Sequence, residues 1–152
     1  MNEVTGRSVR FQRANYLVSN LERALLMYRD VLGLQVEFVM DSESDSYSYP
    51  VFEIDSAAAL RFAVLSSPTQ ARVMALTEVT GVVLAEQRLP RRSAIVLEIE
   101  DIDGVLADCS RHGFKVYPEE RLETHDGRIG REVGLVDDDG NLIVIYFVPA
   151  AQ

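Results

Sequence analysis

Tryptophan is missing from this sequence, cysteine occurs once, as Cys109, and histidine twice, as His112 and His125. A lone cysteine excludes an internal disulfide framework and is compatible with a reducing compartment. Without tryptophan, a planar ligand would have to stack on Tyr or Phe. Basic residues are also scarce: 15 Lys and Arg stand against 24 Asp and Glu, a formal charge of -9. Such a charge repels phosphate backbones and anionic head groups, so neither nucleic acid nor a membrane surface is an expected partner. No stretch approaches the roughly 20 apolar residues that a bilayer crossing requires. Met1 to Arg10 lacks the apolar core of a secretion signal, and the expected location is cytoplasmic.

What is present is a 47% hydrophobic chain of single-domain size, 1–152, containing an internal repeat. Residues 13–18 form a strand-like run, Asn20 is a fitting N-cap, and Leu21, Ala24, Leu25 and Tyr28 follow at helical spacing before Gly33 stops the helix. Residues 94–99, Asp101, then Ile102, Val105, Leu106 and Cys109, then Gly113 repeat the pattern. Corresponding apolar positions are all 81 residues apart, so both helices turn equivalent faces to equivalent sheets.

Three strand-like runs are expected after each helix: 34–40, 49–55 and 60–66, then 115–117, 131–136 and 142–148. The turns 55–60 and 137–142 match in length and in their end residues. This reading gives a first βαβββ module at 11–66, a connection at 67–92 and a second module at 93–148. Residues 41–48 read as a flexible loop, and Val79 to Leu84 as a further strand or helix within the connection.

The segment from Tyr16 through Asn20 and Leu25 to Gly33-Leu34, and the closing run Val136-Asp-Asp-Asp-Gly-Asn-Leu142, resemble the opening and final segments of the vicinal oxygen chelate superfamily. That group includes glyoxalases, extradiol dioxygenases and bleomycin-binding resistance proteins. The resemblance implies an α+β fold in which two βαβββ modules form curled mixed sheets around a cavity, with helices on the outer faces. It also implies a homodimer, since open sheets leave edges and apolar rims to cover.

Metal-using members of the superfamily hold their ion with His or Glu at the start of the first strand and the middle of the last strand of each module. The counts place Arg13, Ala94, Phe62 and Val144 at these positions, and none can donate a lone pair to a metal. No metal and no other cofactor is therefore expected. Strand parity turns Arg13, Asn15, Ala94, Val96 and Glu98 toward the cavity with Phe62, Val144 and Tyr146, an apolar site with a few polar handles. Arg13 there favours a ligand with an anionic or strongly accepting oxygen, assisted by Asn15 or Tyr146, although it could instead pair with Glu98.

Blander roles suit the remaining residues. His112 precedes a helix stop, where an imidazolium meets the dipole favourably. His125 sits in a polar loop that borders the cavity mouth in related proteins. Cys109 shares the helix's apolar stripe, and Asp137 to Asn141 reads as a tight turn, since Leu142 and Val148 stand where a calcium loop needs Gly and Glu. The expected function is metal-independent binding of a small organic ligand, for sequestration or acid-base chemistry. A metal-dependent lyase or dioxygenase and a partner-binding module are the alternatives.

Overall fold

A computed structural model describes residues 6–150. Met1 to Thr5, the first half of the run read above for a secretion signal, and Ala151 to Gln152 lie outside the described residues. Each half of the chain builds one mixed sheet and one principal helix, as the repeat predicts. The first sheet comprises β1 (Ala14–Val18), β2 (Gln35–Asp41), β3 (Ala59–Ser66) and β4 (Met74–Thr80), in the order β1-β4-β3-β2. The second comprises β5 (Ile95–Glu98), β6 (Lys115–Val116), β7 (Glu120–Glu123), β8 (Ile129–Val136) and β9 (Leu142–Phe147), in the order β5-β9-β8-β6, with β7 also on β8. In both, the strand before the helix lies parallel to the last strand of its half.

Both helix starts follow the local rule. Asn20 Oδ1 accepts from the Arg23 N–H at 3.0 Å, and Asp101 Oδ1 accepts from the Gly104 N–H at 3.0 Å. The first helix, α1 (Leu21–Leu25), passes into a π-helical stretch at Leu26–Val31, where Leu32 N–H reaches back to Met27 O. The helix of the second half, α3 (Ile102–His112), ends at Gly113 in the left-handed conformation. Tyr28, Leu21 and Met27 from the first helix join Ile102 and Cys109 from the second in one core, together with Leu65 and Leu76 of one sheet and Leu135 and Ile145 of the other. Burial pushes the Cys109 thiol up to about 11, which suits a packing role.

The structure departs from the sequence reading in both halves: the second gains β7, a strand beyond the three expected there, and the first is rearranged. Residues 49–55 are not a strand: they form a short helix, α2 (Ser48–Val51), and a turn. Pro50 has no N–H to give a ladder. Instead the Tyr49 hydroxyl donates to Ala58 O at 2.8 Å, and Tyr49 and Ile54 pack with Val82 and Leu84 over Leu60 and Val79. The missing strand is β4, inside the expected connection 67–92, where Val79 and Thr80 end a strand and Gly81 to Leu84 do not extend it. Consequently, the counterpart of the turn 137–142 is the β3–β4 connection at 67–73, not the turn 55–60. Phe62 accordingly lies on the third strand of its half rather than the last.

Candidate functional site

Register assigns each sheet a face turned away from the helices. Asn15 pairs with Ala75 and Leu17 with Thr77, while Phe62 pairs with Thr77 and Val64 with Ala75, so these residues share one face of the first sheet. Phe38 and Met40 continue it on β2 after a bulge. Opposite them in the repeat, Val96 pairs with Val144, Glu98 with Tyr146, and Tyr146 with Glu132. The structure thus places Asn15 with Phe62 on one sheet, and Val96, Glu98, Val144 and Tyr146 on the other. Thr77, missed in the sequence because β4 was missed, donates its hydroxyl to Asn15 Oδ1 at 2.9 Å. The Tyr146 hydroxyl is 3.4 Å from Glu98 Oε2. Phe38 and Phe62 meet edge to face with centroids 6.1 Å apart. Arg13 is exposed just before β1 and, among the described residues, forms no ion pair with Glu98.

Three of the sequence-derived residues, Ala94, Val96 and Glu98, also line a cavity of about 780 Å³ on the free edge of β5, beside the β3–β4 turn and the start of β1. Arg13, Asn15, Phe62, Val144 and Tyr146 do not line it. Its walls combine apolar side chains, including Leu34, Met74 and Leu97, with the polar residues Ser67, Gln70 and Glu98, and its size suits an organic ligand.

The corrected strand assignment also corrects the four superfamily metal positions. Asn15 and Val96 are 81 apart, and their parallel partners are Ala75 and Val144, so Ala75 replaces Phe62 as the fourth position. Arg13, Ala75, Ala94 and Val144 offer no metal-binding lone pair, and among the described residues no three His, Cys, Asp or Glu converge as a metal site. The residues present do not fit the family's ion.

The halves are fastened by the Asp137–Asn141 turn. The Tyr28 hydroxyl donates to Asp137 Oδ2 at 2.8 Å, Asn141 Nδ2 donates to Leu17 O at 3.0 Å, and Ser19 N–H to Asp139 Oδ2 at 3.0 Å. Asp137 Oδ1 meanwhile accepts from the Asp139 and Asn141 N–H groups, each at 2.9 Å. Burial pushes both the Tyr28 hydroxyl and the Asp137 carboxyl above their ordinary pKa values, making each a weaker acid. Tyr16 acts at the same seam: its hydroxyl accepts from Ile95 N–H at 2.8 Å and donates to Leu142 O at 2.7 Å. It occupies the rung where the β5–β9 ladder would otherwise close. On the first sheet, Glu78 accepts from Arg61 Nε at 2.7 Å and from Leu21 N–H at 2.6 Å, tying β4 to the start of α1.

His112 ends α3, as expected, and Arg23 donates to its carbonyl at 2.7 Å. His125 lies in the turn between β7 and β8. No helix among the described residues is long and apolar enough to cross a membrane.

No curated protein matches the chain. Among solved structures, a glyoxalase family protein from Bacillus cereus aligns with a TM-score of 0.74 at 16% identity, covering 98% of this chain and 100% of that one. The trypanothione-dependent glyoxalase I of Leishmania major aligns at 0.61 and 22% identity, over 91% of this chain and 86% of that one. The fosfomycin resistance protein FosX of Mesorhizobium loti aligns at 0.54 and 17%, over 95% and 92%. At these identities the likeness is one of fold. The family model, however, matches residues 10–145, and the chain belongs to the glyoxalase/bleomycin resistance protein/dioxygenase superfamily.

Proposed function

We propose that this protein is a metal-independent member of its superfamily that binds a small organic ligand on the helix-averted faces of its sheets. The observation that carries the reading is the composition of these faces. Phe38 and Met40, 37% and 52% exposed, flank Phe62 on the first sheet, and Val96, 61% exposed, lies beside Val144 on the second. The polar groups are gathered in two places: the Asn15–Thr77 pair on the first sheet, and Glu98, Tyr146 and Glu132 on the second. An apolar surface with a small number of fixed donors and acceptors is the usual make-up of a small-molecule site. Arg13 stands at the margin as a further anchor for an anionic oxygen.

Ligand holding at Glu98 and Tyr146 serves sequestration and, through the Glu98 carboxylate, proton transfer equally. Two copies would cover each other's open faces, making the working unit a homodimer in the cytoplasm. The reading is tested with a fluorescent apolar dye titrated into wild type and Phe62→Asp. Saturable binding that the substitution abolishes, with the circular dichroism unchanged, supports it. Equal binding by the two proteins removes this face as the site.

A further inference from the structure

We infer that the cavity at the free edge of β5 is a second binding site, which takes a small neutral N-acyl amino acid amide. Strand β5 is the outermost strand of its sheet. Ile99 N–H bonds to Tyr146 O on β9, and Ile95 N–H reaches Leu142 of β9 through the Tyr16 hydroxyl. By alternation, the backbone groups of Val96, Glu98 and Glu100 face the free edge. Among the described residues, neither Glu98 C=O nor Glu100 N–H has a hydrogen-bond partner.

The other half of the repeat shows what such an edge accepts. The residues 81 positions earlier are Leu17 and Ser19, and both are engaged: Leu17 C=O accepts from Asn141 Nδ2 at 3.0 Å, and Ser19 N–H donates to Asp139 Oδ2 at 3.0 Å. The final turn thus delivers a donor and an acceptor to one short stretch of strand edge. Its counterpart in the first half, the β3–β4 connection, carries Ser67, Thr69 and Gln70 in place of Asp137, Asp139 and Asn141. Ser67 Oγ accepts from the Thr69 and Gln70 N–H groups at 3.3 and 3.0 Å, much as Asp137 Oδ1 accepts within its own turn. Closed on itself, this turn makes no bond to β5 among the described residues and forms the facing wall of the cavity.

Backbone geometry sets the ligand's chemistry. In a parallel ladder, one residue of the added strand donates its N–H to the C=O of residue i and accepts from the N–H of residue i+2. Glu98 C=O and Glu100 N–H have that spacing, so the ligand's donor and acceptor flank a single carbon, as they do in an amino acid residue. A cavity of about 780 Å³ holds this unit together with an apolar side chain, which Leu34, Val73 and Met74 receive. Glu98 on the lining, with Glu100 and Asp101 directly after it, disfavours a free carboxylate and selects the neutral amide. Asn15, Phe62, Val144 and Tyr146 lie outside this cavity, so the site goes beyond the ligand reading of the sheet faces and is tested separately from it.

The test titrates N-acetyl-leucinamide into the full chain and follows the backbone amide signals by NMR. Saturable shifts at Ile99 and Glu100, with Phe38 and Phe62 unmoved, are expected at a Kd on the order of 1 mM. The analogue methylated on its acetamide nitrogen, which cannot donate to Glu98 C=O, should bind about tenfold more weakly or worse, and so should N-acetyl-leucine with its free carboxylate. Gln70→Trp fills the cavity from the facing wall and should weaken binding by a similar factor, whereas Phe62→Asp leaves it intact. If Gln70→Trp does not fold, the comparison of the two amides on wild type still decides. Equal binding of the methylated analogue or of the acid, or the absence of saturation up to the solubility limit, overturns the proposal. Shifts centred on Phe38 and Phe62 that vanish in Phe62→Asp also overturn it, while leaving the ligand reading of the sheet faces standing.

Discussion

Tyr28 and Asp137, 109 residues apart and in different halves of the chain, share a buried hydrogen bond of 2.8 Å. The tyrosine comes from the first helix and the carboxylate from the final turn, so the contact reports directly on whether the halves are docked. Removing the hydroxyl in Tyr28→Phe leaves Asp137 its Asn141 and Asp139 donors, and a loss of about 1 to 2 kcal/mol is expected. Asp137→Ala strands every one of those donors and should cost roughly 3 kcal/mol or more. Urea unfolding of the two variants checks the order of the effects.

Tyr16→Phe is expected to destabilise by roughly 1 to 3 kcal/mol, because Ile95 N–H and Leu142 O both lose their partner and the phenyl ring keeps them apart. Hydrogen exchange at the Ile95 amide should accelerate well beyond that at Leu97, which sits inside the ladder. Equal acceleration at both amides would mean that the hydroxyl does not hold this rung.

Acid should expose the role of Glu78. The Arg61 guanidinium, helped by Leu21 N–H, holds its carboxyl below the ordinary range. A depressed folded value contributes stability above the unfolded carboxylate range, and that contribution disappears as pH falls through the folded value. Asp137 has the opposite sign: burial raises it, so its contribution is present below the ordinary range and declines as pH rises through the elevated value. Melting temperature should therefore fall more steeply in acid for wild type than for Glu78→Gln. Parallel curves would contradict the assignment.

Added Zn, Ni, Mn or Fe should leave the melting temperature within about 1 °C. An ion held only by the folded form would stabilise it by mass action, and the side chains at Arg13, Ala75, Ala94 and Val144 cannot hold one. A dose-dependent rise of several degrees, with metal retained through dialysis, refutes the claim.

The legibility of the chain varied with the range of the interactions involved. Helix starts at Asn20 and Asp101 could be read because capping involves neighbours in sequence. Parity turns Glu98 and Tyr146 to the same face, but the partner it suggests for Glu98 is Arg13, whereas the register sets it beside Tyr146. Strand β4 was hidden because Thr77 and Glu78 interrupt its apolar run and look solvent-facing. Both are buried, satisfied by Asn15 and by Arg61 with Leu21, partners that no local pattern announces. Tyr49 to Ile54 misled in the other direction: its apolar residues cover the end of a sheet instead of extending one. Missing β4 shifted one metal position onto Phe62 and concealed Ala75 and Thr77. The acidic turn was recognised as a turn, but its clasp on Tyr28 and Leu17 depends on contacts spanning more than a hundred residues.

The wedge formed by Tyr16 also bears on the ancestry implied by the repeat. Its counterpart, 81 residues on, is Leu97, which has no hydroxyl, and at the matching rung Ala14 N–H bonds directly to Val73 O at 3.0 Å. The halves have become plug and socket and are no longer interchangeable. A chain made of two second halves would have the clasping turn but no tyrosine to receive it, and one made of two first halves would have tyrosines without the turn. Whatever duplication produced this protein, its present halves are committed to each other.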